Sequence, residues 1–508
     1  MAEIKDYRSK VLGCWMGKNI GGTLGAPFEW RRQINSVEFY TQKHDGNPLP
    51  NDDLDIQLLW LIALEEQGVD IDSSLLGEYW LSYVTPFWAE YGTAKINLRT
   101  GLVPPLSGIW NNFNKDSDGA FIRSEIWACI APGCPRQAVK FAQQDAMLDH
   151  GNGEGVYAEV FCAALESAAF VESDAENLIK IGLSYIPESC GVARAVNHVL
   201  SAYESCYTWL ETRDQILKSF RGSLLGGDKS LISQRDMDMG FAEGHPGWDV
   251  PSNIAILVIG LLYGEGDFDK SLCTAVNCGE DTDCTGATLG SIFGIMHGIE
   301  NIPEKWIEPI GHGIKTACLN LGDLGSFGAM LPATVEELTD RVEKIAHRVV
   351  SHYQLPVQLP KIAAQDKADN LFARKEDIVN LTIPRVKYKH PFFDIAIRYD
   401  TGPSVEAGGQ AVIQLIVANR YRMQANLAWK WYLPDGWTVK PGGEGLIYVG
   451  QSHWHDSKSE TQFTLSSPLS PTAINRFVLQ LTMDGHHTST LMPIVLVTGK
   501  ASAKALER

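Results

Sequence analysis

Apolar residues recur at three- and four-residue steps through about the first 350 residues, and Ala and Leu are frequent among them. This spacing places the apolar side chains on one face of a helix. The clearest segments are 54–66, 138–147 and 156–171, and glycine or proline occupies the gaps. We therefore predict an all-α domain over residues 1–354.

The pattern changes after residue 355. Prolines there bracket charged stretches, which indicates a connecting region over 355–385. From 386 to 508 apolar positions alternate with others, as Trp429 and Trp431 do on either side of Lys430. A period of two is typical of strands, and roughly 120 residues of it suggest a β-sandwich. The predicted fold class is therefore multi-domain, with a mainly all-α domain followed by a C-terminal β-sandwich.

Glycine occupies every fourth position in two predicted helices, over 13–25 and over 286–298. In a helix this spacing lines one face with glycine, at a cost of about 1 kcal/mol per residue relative to alanine. Close approach of two backbones across that face usually offsets the cost. We predict that the two helices pack tightly at the centre of the domain, which brings the loops at their ends together. Lys18 argues against the alternative of a membrane helix dimer.

The chain of 508 residues has a formal net charge of −18, from 43 Lys and Arg and 61 Asp and Glu. Such a surface repels phosphate backbones, so we expect no nucleic-acid partner. The charged start MAEIKDYRSK and the lack of a run of about 18 apolar residues predict neither a signal peptide nor a membrane span. The ten cysteines lack CxxC spacing, which favours reduced thiols in a cytoplasmic protein.

Two acidic clusters each come immediately before a predicted helix. The first, NDDLD, contains Asp52 and Asp53, and the second, EDTDC, contains Asp281 and Asp283. Acidic residues at a helix start can be simple caps worth about 1 kcal/mol. If both clusters meet in one cleft, however, four carboxylates repel each other unless hard divalent cations neutralise them. We therefore predict a metal centre, with two Mg²⁺ ions as the default.

Other candidate residues lie in loops. His150, in DHGNG, is a candidate ligand or base, or else a histidine that caps a turn. The segment HPGWD is typical of a binding loop, in which His245 contacts substrate and Trp248 stacks on a ring or packs in the core. The sequence contains no GxxxxGK[ST], HExxH or GxSxG motif that would indicate another class of enzyme.

Several blocks, in order along the chain, resemble the ADP-ribosylglycohydrolase family. Residues 13–29 (GCWMGKNIGGTLGAPFE) look like the family's opening helix and loop, and NDD at 51–53 looks like its Thr-Asp-Asp motif. DGAFIR at 118–123 is similar to the family's Asn-Gly-Ala-x-Met-Arg segment, and 145–150 to its Ala-x-x-Thr-His stretch. The most specific block is EDTDCTG at 280–286, which resembles Gly-Asp-Thr-Asp-Thr-Ile-Gly.

The resemblance implies an all-helical catalytic domain with a two-Mg²⁺ centre that cleaves the bond at the anomeric carbon of a ribose. Carried over by position, it implies a set of metal ligands made up of Asp52, Asp53, Asp281, Asp283 and, through its side-chain oxygen, Asn51. Glu29 matches a glutamate near the reacting ribose, so the expected catalytic base is Glu29 or an aspartate such as Asp53. The resemblance also implies that Asp118 and Gly119 contact the substrate.

The chain departs from the family pattern at four positions. Asn51, Leu54 and Cys284 stand where the family usually has threonines, and Asp118 replaces an asparagine. Asp55 and Thr285 are candidates to compensate for the missing threonines. A thiol is a poor ligand for Mg²⁺.

The expected function is Mg²⁺-dependent hydrolysis of the glycosidic bond of an ADP-ribosyl or related ribosyl compound. The alternatives are metal-dependent hydrolysis of another N- or O-glycoside, such as a nucleoside or modified sugar, and non-catalytic binding of ADP-ribose or a nucleotide sugar. The expected partner is a small-molecule or ADP-ribosylated substrate, and the sequence indicates no oligomeric state.

Overall fold

A computed structural model describes residues 7–220, 232–240, 249–319, 330–357, 359, 371–421, 423–452, 454–486 and 489–500. Contacts divide the chain into two compact units. The helical unit comprises the described residues of 1–91 and 114–382, and the strand unit comprises those of 92–113 and 383–508. A helical region followed by strands that form sheets is therefore confirmed.

The described α-helices agree with the three- and four-residue spacing of the sequence, and the segments predicted at 54–66, 138–147 and 156–171 each fall on a helix. The helices are α1 Tyr7–Gly25, α2 Asp52–Gln67, α3 Ser73–Tyr83, α4 Ala89–Thr100, α5 Leu106–Ile109, α6 Glu125–Ile130, α7 Pro135–Ala146, α8 Glu154–Ala169, α9 Ala175–Ser184, α10 Gly191–Glu204, α11 Trp209–Phe220, α12 Gln234–Asp238, α13 Val250–Tyr263, α14 Phe268–Asn277, α15 Thr282–His297, α16 Glu304–Ile307, α17 Val335–His352 and α18 Lys375–Thr382.

Helices α1 and α15 run antiparallel and contact each other through their glycines. Gly17 faces Gly290 and Gly21 faces Gly286, and a Cβ added at either α1 position would overlap with the backbone of α15. Both helices are buried along almost their whole length. The predicted tight packing is confirmed. One member of the pattern differs, because Gly298 follows α15 and has a φ of +80°, so it ends that helix rather than packing within it.

The strand unit contains two five-stranded sheets, with strand orders β1-β2-β4-β8-β6 and β3-β10-β9-β5-β7. Pairing is antiparallel throughout except between β3 and β10. Alternate residues of β5 and β9 are buried, as the sequence predicts. The strands are β1 Val386–Tyr388, β2 Phe393–Tyr399, β3 Ser404–Val405, β4 Gln410–Asn419, β5 Ala425–Tyr432, β6 Thr438–Lys440, β7 Glu444–Val449, β8 Lys458–Ser466, β9 Ile474–Met483 and β10 Ser489–Thr498.

Aromatic side chains fill part of the strand unit's core. Trp431 packs edge-on against Phe463, with ring centroids 5.2 Å apart, and Trp437 packs against Phe477 at 4.8 Å. Trp431 and Trp437 are buried, and Trp429 packs against the same cluster. These tryptophans therefore stabilise the fold.

The strand unit also includes residues 92–113, which the predicted boundaries 1–354, 355–385 and 386–508 place in the helical domain. Leu102, Leu106 and Trp110 belong to the same hydrophobic cluster as the strand residues. Burial of these apolar side chains explains the difference. The predicted connecting region differs too: α18 lies in the helical unit, where Asp377 pairs with Arg136 at 3.1 Å.

No helix among the described residues is long and apolar enough to cross a membrane.

Candidate active site

The packing of α1 against α15 brings together the end of α1, the start of α2 and the start of α15. The hydroxyl of Thr282 donates a hydrogen bond to the carbonyl of Gly25 at 2.8 Å. Gly22 lies so close to the side-chain amide of Asn51 that an added Cβ would overlap with it. Asn51 caps α2, because its side-chain oxygen accepts a hydrogen bond from the N–H of Asp53 at 2.7 Å. Glycines in α1 thus allow the two acidic clusters to meet.

The side chains at this meeting point form two groups that share Asp283. In the oxygen group, carboxylate oxygens of Glu29, Asp281 and Asp283 all lie within 4.8 Å of one another. In the thiol group, the same limit holds for carboxylate oxygens of Asp53 and Asp283 and for the Sγ of Cys284. Two donors that each bind one cation at 2.0–2.6 Å lie at most roughly 5 Å apart. Asp283 therefore lies between two candidate cation positions.

Several buried carboxylate oxygens in these groups lack a hydrogen-bond partner. Both oxygens of Asp53 and one oxygen each of Asp281 and Asp283 find none. All three side chains are buried. An unpaired carboxylate in such a place is costly, whereas a divalent cation both neutralises the charge and uses the free oxygens. The residues present therefore fit a divalent metal ion.

The electrostatics of the groups support the same conclusion. Burial and the nearby charge of Asp283 raise the pKa of Glu29 to about 9 and that of Asp53 to about 7. Burial and Asp53 raise the pKa of Asp52, also to about 7. Burial and Asp283 raise the pKa of Asp281 well above its usual range. Carboxylates held this close favour protonation unless a cation is present.

Asp118 lies beside these groups. Its Oδ2 accepts a hydrogen bond from the side-chain amide of Asn253 at 2.5 Å, while its Oδ1 has no partner. Burial and the charge of Asp249 raise the pKa of Asp118, and Asp118 is among the carboxylates that raise the pKa of Asp281 after burial. A Cβ added at Gly119 would overlap with a neighbouring carboxylate, so this position suits glycine. The structure thus brings 118 and 119 close to the predicted metal ligands.

His150 belongs to a separate group of side chains. Its ring is fully buried, and a ring nitrogen lies within 4.8 Å of carboxylate oxygens of Glu90 and Asp149. Its Nδ1 lies 2.7 Å from a backbone carbonyl oxygen, and burial lowers the pKa of the imidazole. The structure does not bring His150 into the oxygen group or the thiol group. The other two predicted binding residues, His245 and Trp248, lie outside the described residues.

Comparison with known proteins shows the family of the chain. A family model for ADP-ribosylglycohydrolase matches residues 3–352, which include both groups. The chain belongs to the ADP-ribosylglycohydrolase family. A 49-residue segment is 33% identical to ADP-ribosylarginine hydrolase Tri1 from Serratia proteamaculans (strain 568); it covers 10% of this chain and 13% of that protein.

Two solved structures also align with this ADP-ribosylglycohydrolase family member. An ADP-ribosylglycohydrolase-related protein complex aligns with 67% of this chain and 99% of that chain, at 18% identity and a TM-score of 0.41. A FixG-related protein from Vibrio parahaemolyticus aligns with 22% of this chain and 98% of that chain, at 11% identity and a TM-score of 0.17.

Two polar side chains, Asp55 and Thr285, lie next in sequence to positions where this ADP-ribosylglycohydrolase family member departs from the family pattern. Both make hydrogen bonds with the backbone. Asp55 accepts hydrogen bonds from three successive backbone N–H groups at 317–319, at 2.5–3.2 Å. The hydroxyl of Thr285 donates to the carbonyl of Asp281 at 2.8 Å. Thr285 and the Oδ2 of Asp55 therefore support the backbone, while the buried Oδ1 of Asp55 has no hydrogen-bond partner. Cys284 is the side chain whose sulfur lies beside the shared aspartate.

Two buried ion-pair networks behind the site were missed by sequence reasoning. In the first, the Lys18 ammonium lies 2.5 Å from an oxygen of Glu125, whose other oxygen accepts a hydrogen bond from Gln57 at 2.8 Å. Burial lowers the pKa of Lys18, but Glu125 and then Asp53 raise it by more. The sequence signal that could have revealed this network is a lysine inside a glycine-rich apolar helix, because a buried lysine requires a buried partner.

The second network is centred on Arg123, the last residue of the DGAFIR block. Its guanidinium binds both oxygens of Asp149, at 2.6 and 2.9 Å, and one oxygen of Asp145 at 2.9 Å. Asp145 also accepts hydrogen bonds from the indoles of Trp60 and Trp127, at 2.8 and 2.9 Å. The network fixes the segment that carries residues 118 and 119, because Arg123 also donates to the carbonyl at 119.

Proposed function

We propose that this family member is a Mg²⁺-dependent hydrolase of the glycosidic bond in an ADP-ribosyl or related ribosyl compound, with two ions in its centre. The observation that carries the proposal is the pair of three-residue groups that share Asp283. Four of their buried carboxylate oxygens, both of Asp53 and one each of Asp281 and Asp283, lack protein partners, as expected for residues that bind metal. Sequence position adds Asp52 and Asn51 as further candidate ligands, although the Asn51 oxygen already accepts a hydrogen bond from Asp53.

Bound Mg²⁺ would supply Lewis-acid stabilisation of developing negative charge and orient the ribose hydroxyls. Once a cation bound to the two groups lowers its raised pKa, Glu29 is the best candidate for the base that accepts a proton from the attacking water. Unlike Asp53, Asp281 and Asp283, which are buried, Glu29 is partly exposed and can exchange its proton with solvent. The surrounding carboxylates would stabilise the positive charge of an oxocarbenium-like transition state.

Asp118 favours a second candidate, the hydrolysis of an uncharged N- or O-glycoside. When ionised, a buried carboxyl group at this point repels a phosphate group, and in either protonation state it can hydrogen-bond to a sugar hydroxyl or a base. The free Oδ1 of Asp118 is available for such a bond. We retain Gly119, His150, His245 and Trp248 as predicted substrate-binding residues.

The proposal has two further parts. We infer that the two sheets of the strand unit form a β-sandwich, because side chains from both belong to one hydrophobic cluster. We also infer that the protein acts in the cytoplasm, because all ten of its cysteines are free thiols.

A product assay with Mg²⁺ and with chelator tests the activity on ADP-ribosyl-arginine, ADP-ribosyl-serine, nucleosides and other glycosides. Asp281→Asn should abolish Mg²⁺-dependent turnover and leave the circular dichroism spectrum unchanged. Asp267→Asn is the matched control, because Asp267 is an exposed helix cap outside both groups and asparagine caps equally well. Release of ADP-ribose supports the first candidate, and release from another glycoside supports the second. Normal turnover in Asp281→Asn would contradict both.

A further inference from the structure

The two groups at the centre differ in the chemistry of their donor atoms. The oxygen group offers only carboxylate oxygens, whereas the thiol group offers two carboxylates and the sulfur of Cys284. Hard cations such as Mg²⁺ prefer oxygen, and thiolate sulfur favours zinc and other borderline transition metals. A centre that binds two identical Mg²⁺ ions gains nothing from a sulfur donor.

We propose that the metal centre is asymmetric: the thiol group binds a transition-metal cation of the zinc class through a direct bond to the Cys284 sulfur, while the oxygen group binds Mg²⁺. This inference rests on the proposed function and specifies the metal at one of its two positions. Asp283 supplies a carboxylate to both groups, so it would bridge the two ions.

The geometry of the thiol group suits a small transition-metal ion. In a tetrahedral zinc site, donors at 2.0–2.3 Å from the ion lie roughly 3.3–3.8 Å apart. The donors of Asp53, Asp283 and Cys284 all lie within 4.8 Å of one another, so at most about 1.5 Å of closure would complete the site. A water or substrate oxygen would take the fourth position.

Two observations distinguish this group from a cysteine that is buried merely to fill space. Both oxygens of Asp53 are fully buried and have no hydrogen-bond partner, so the group contains an unused carboxylate next to the thiol. Asp283 likewise has an oxygen without a partner. When the metal–sulfur bond forms, the S–H bond breaks and its proton passes to solvent.

The test uses the full chain after treatment with chelator. Co²⁺ serves as an optical probe, because cobalt bound to thiolate shows a sulfur-to-metal charge-transfer band in the near ultraviolet. Zn²⁺ added with Mg²⁺ in excess serves as the probe for X-ray absorption, in which a zinc–sulfur shell appears at about 2.3 Å. The variants are Cys284→Ser and, as the matched control, Cys278→Ser. Cys278 is also buried and near in sequence but belongs to neither group.

We expect the charge-transfer band and the zinc–sulfur shell in the wild type and in Cys278→Ser, and neither in Cys284→Ser. Removing one direct ligand should weaken Zn²⁺ binding at least tenfold, whereas Mg²⁺ binding to the oxygen group should change little. Co²⁺ and Zn²⁺ that bind without a sulfur signal would overturn the inference while leaving the proposed function intact. A sulfur signal that persists in Cys284→Ser would also overturn it. A chain that binds no divalent cation at all would overturn both.

Discussion

The glycine contact between α1 and α15 can be tested by adding one methyl group at a time. In Gly17→Ala the new Cβ would lie close to the backbone of Gly290. Cβ atoms normally keep at least 3.0 Å from neighbouring heavy atoms, and this one would be about 1 Å closer. Gly286→Ala is the milder variant in the same interface, because its Cβ would lie 2.8 Å from the Gly21 carbonyl oxygen, so the backbone must still shift but only by a few tenths of an ångström.

Each substitution also gains helix propensity, about 1 kcal/mol for replacing glycine by alanine. Overpacking costs about 1–3 kcal/mol, and the cost for Gly17→Ala should reach the upper end because the obstructing atoms are backbone. We therefore expect Gly17→Ala to lower the free energy of unfolding of the helical unit by about 2 kcal/mol, and Gly286→Ala to change it by less than about 1 kcal/mol.

The assay is urea unfolding followed by far-ultraviolet circular dichroism, which reports mainly the helices, with equal m-values required for comparison. Turnover gives a second readout, because a displacement of about 1 Å at the start of α15 would separate Asp283 from Asp53 and can cost about 100-fold in rate. The reasoning is refuted if Gly17→Ala is as stable as the wild type or more stable, as expected for a helix that packs against nothing at this face.

Three other predictions follow from the site and its surroundings. Lys18→Met should destabilise the helical unit by about 3–5 kcal/mol in urea unfolding, because it leaves Glu125 charged and buried without its partner; adding Glu125→Gln should restore part of the loss, and no restoration would contradict the pairing. Burial and the charge of Asp149 raise the pKa of Glu90 to about 8 from an ordinary 4.5, so the folded state holds this proton more tightly and the stability contributed by Glu90 falls as the pH rises from about 5 to 8. Unfolding measured over that range should therefore show Glu90→Gln gaining stability relative to the wild type, and a constant difference would contradict this assignment. Mg²⁺ at a hundred times its dissociation constant should stabilise the protein by about 2.7 kcal/mol, seen as a higher melting temperature than in chelator, and Asp53→Asn should reduce that gain.

The local features of the fold could be predicted from the sequence. Apolar spacing located the helices at 52–67 and 154–169, and alternation located the strand at 425–432, because both patterns record which side of a short element is buried. The repeated glycines predicted the α1–α15 contact for a related reason: glycine at one helical face has a cost that only a close neighbour offsets.

Long-range partners were not predictable in the same way. Lys18 and Glu125 are 107 residues apart, and nothing in the sequence near either residue specifies the other. The resemblance predicted that Asp53 and Asp283 belong to one metal centre, but it identified Cys284 only as a departure from the family pattern. The position of its sulfur beside both aspartates depends on how α2 and α15 meet in three dimensions.

The inclusion of residues 92–113 in the strand unit has a consequence for synthesis on the ribosome. Leu102, Leu106 and Trp110 emerge about 280 residues before the first strand of the core that buries them. At roughly 5–20 residues per second, the nascent chain exposes these apolar side chains for about 15 to 55 seconds. Throughout that interval they are available to chaperones or to other nascent chains. A gene truncated after residue 354 would make the exposure permanent, so removal of the strands should yield an aggregating product rather than a minimal enzyme.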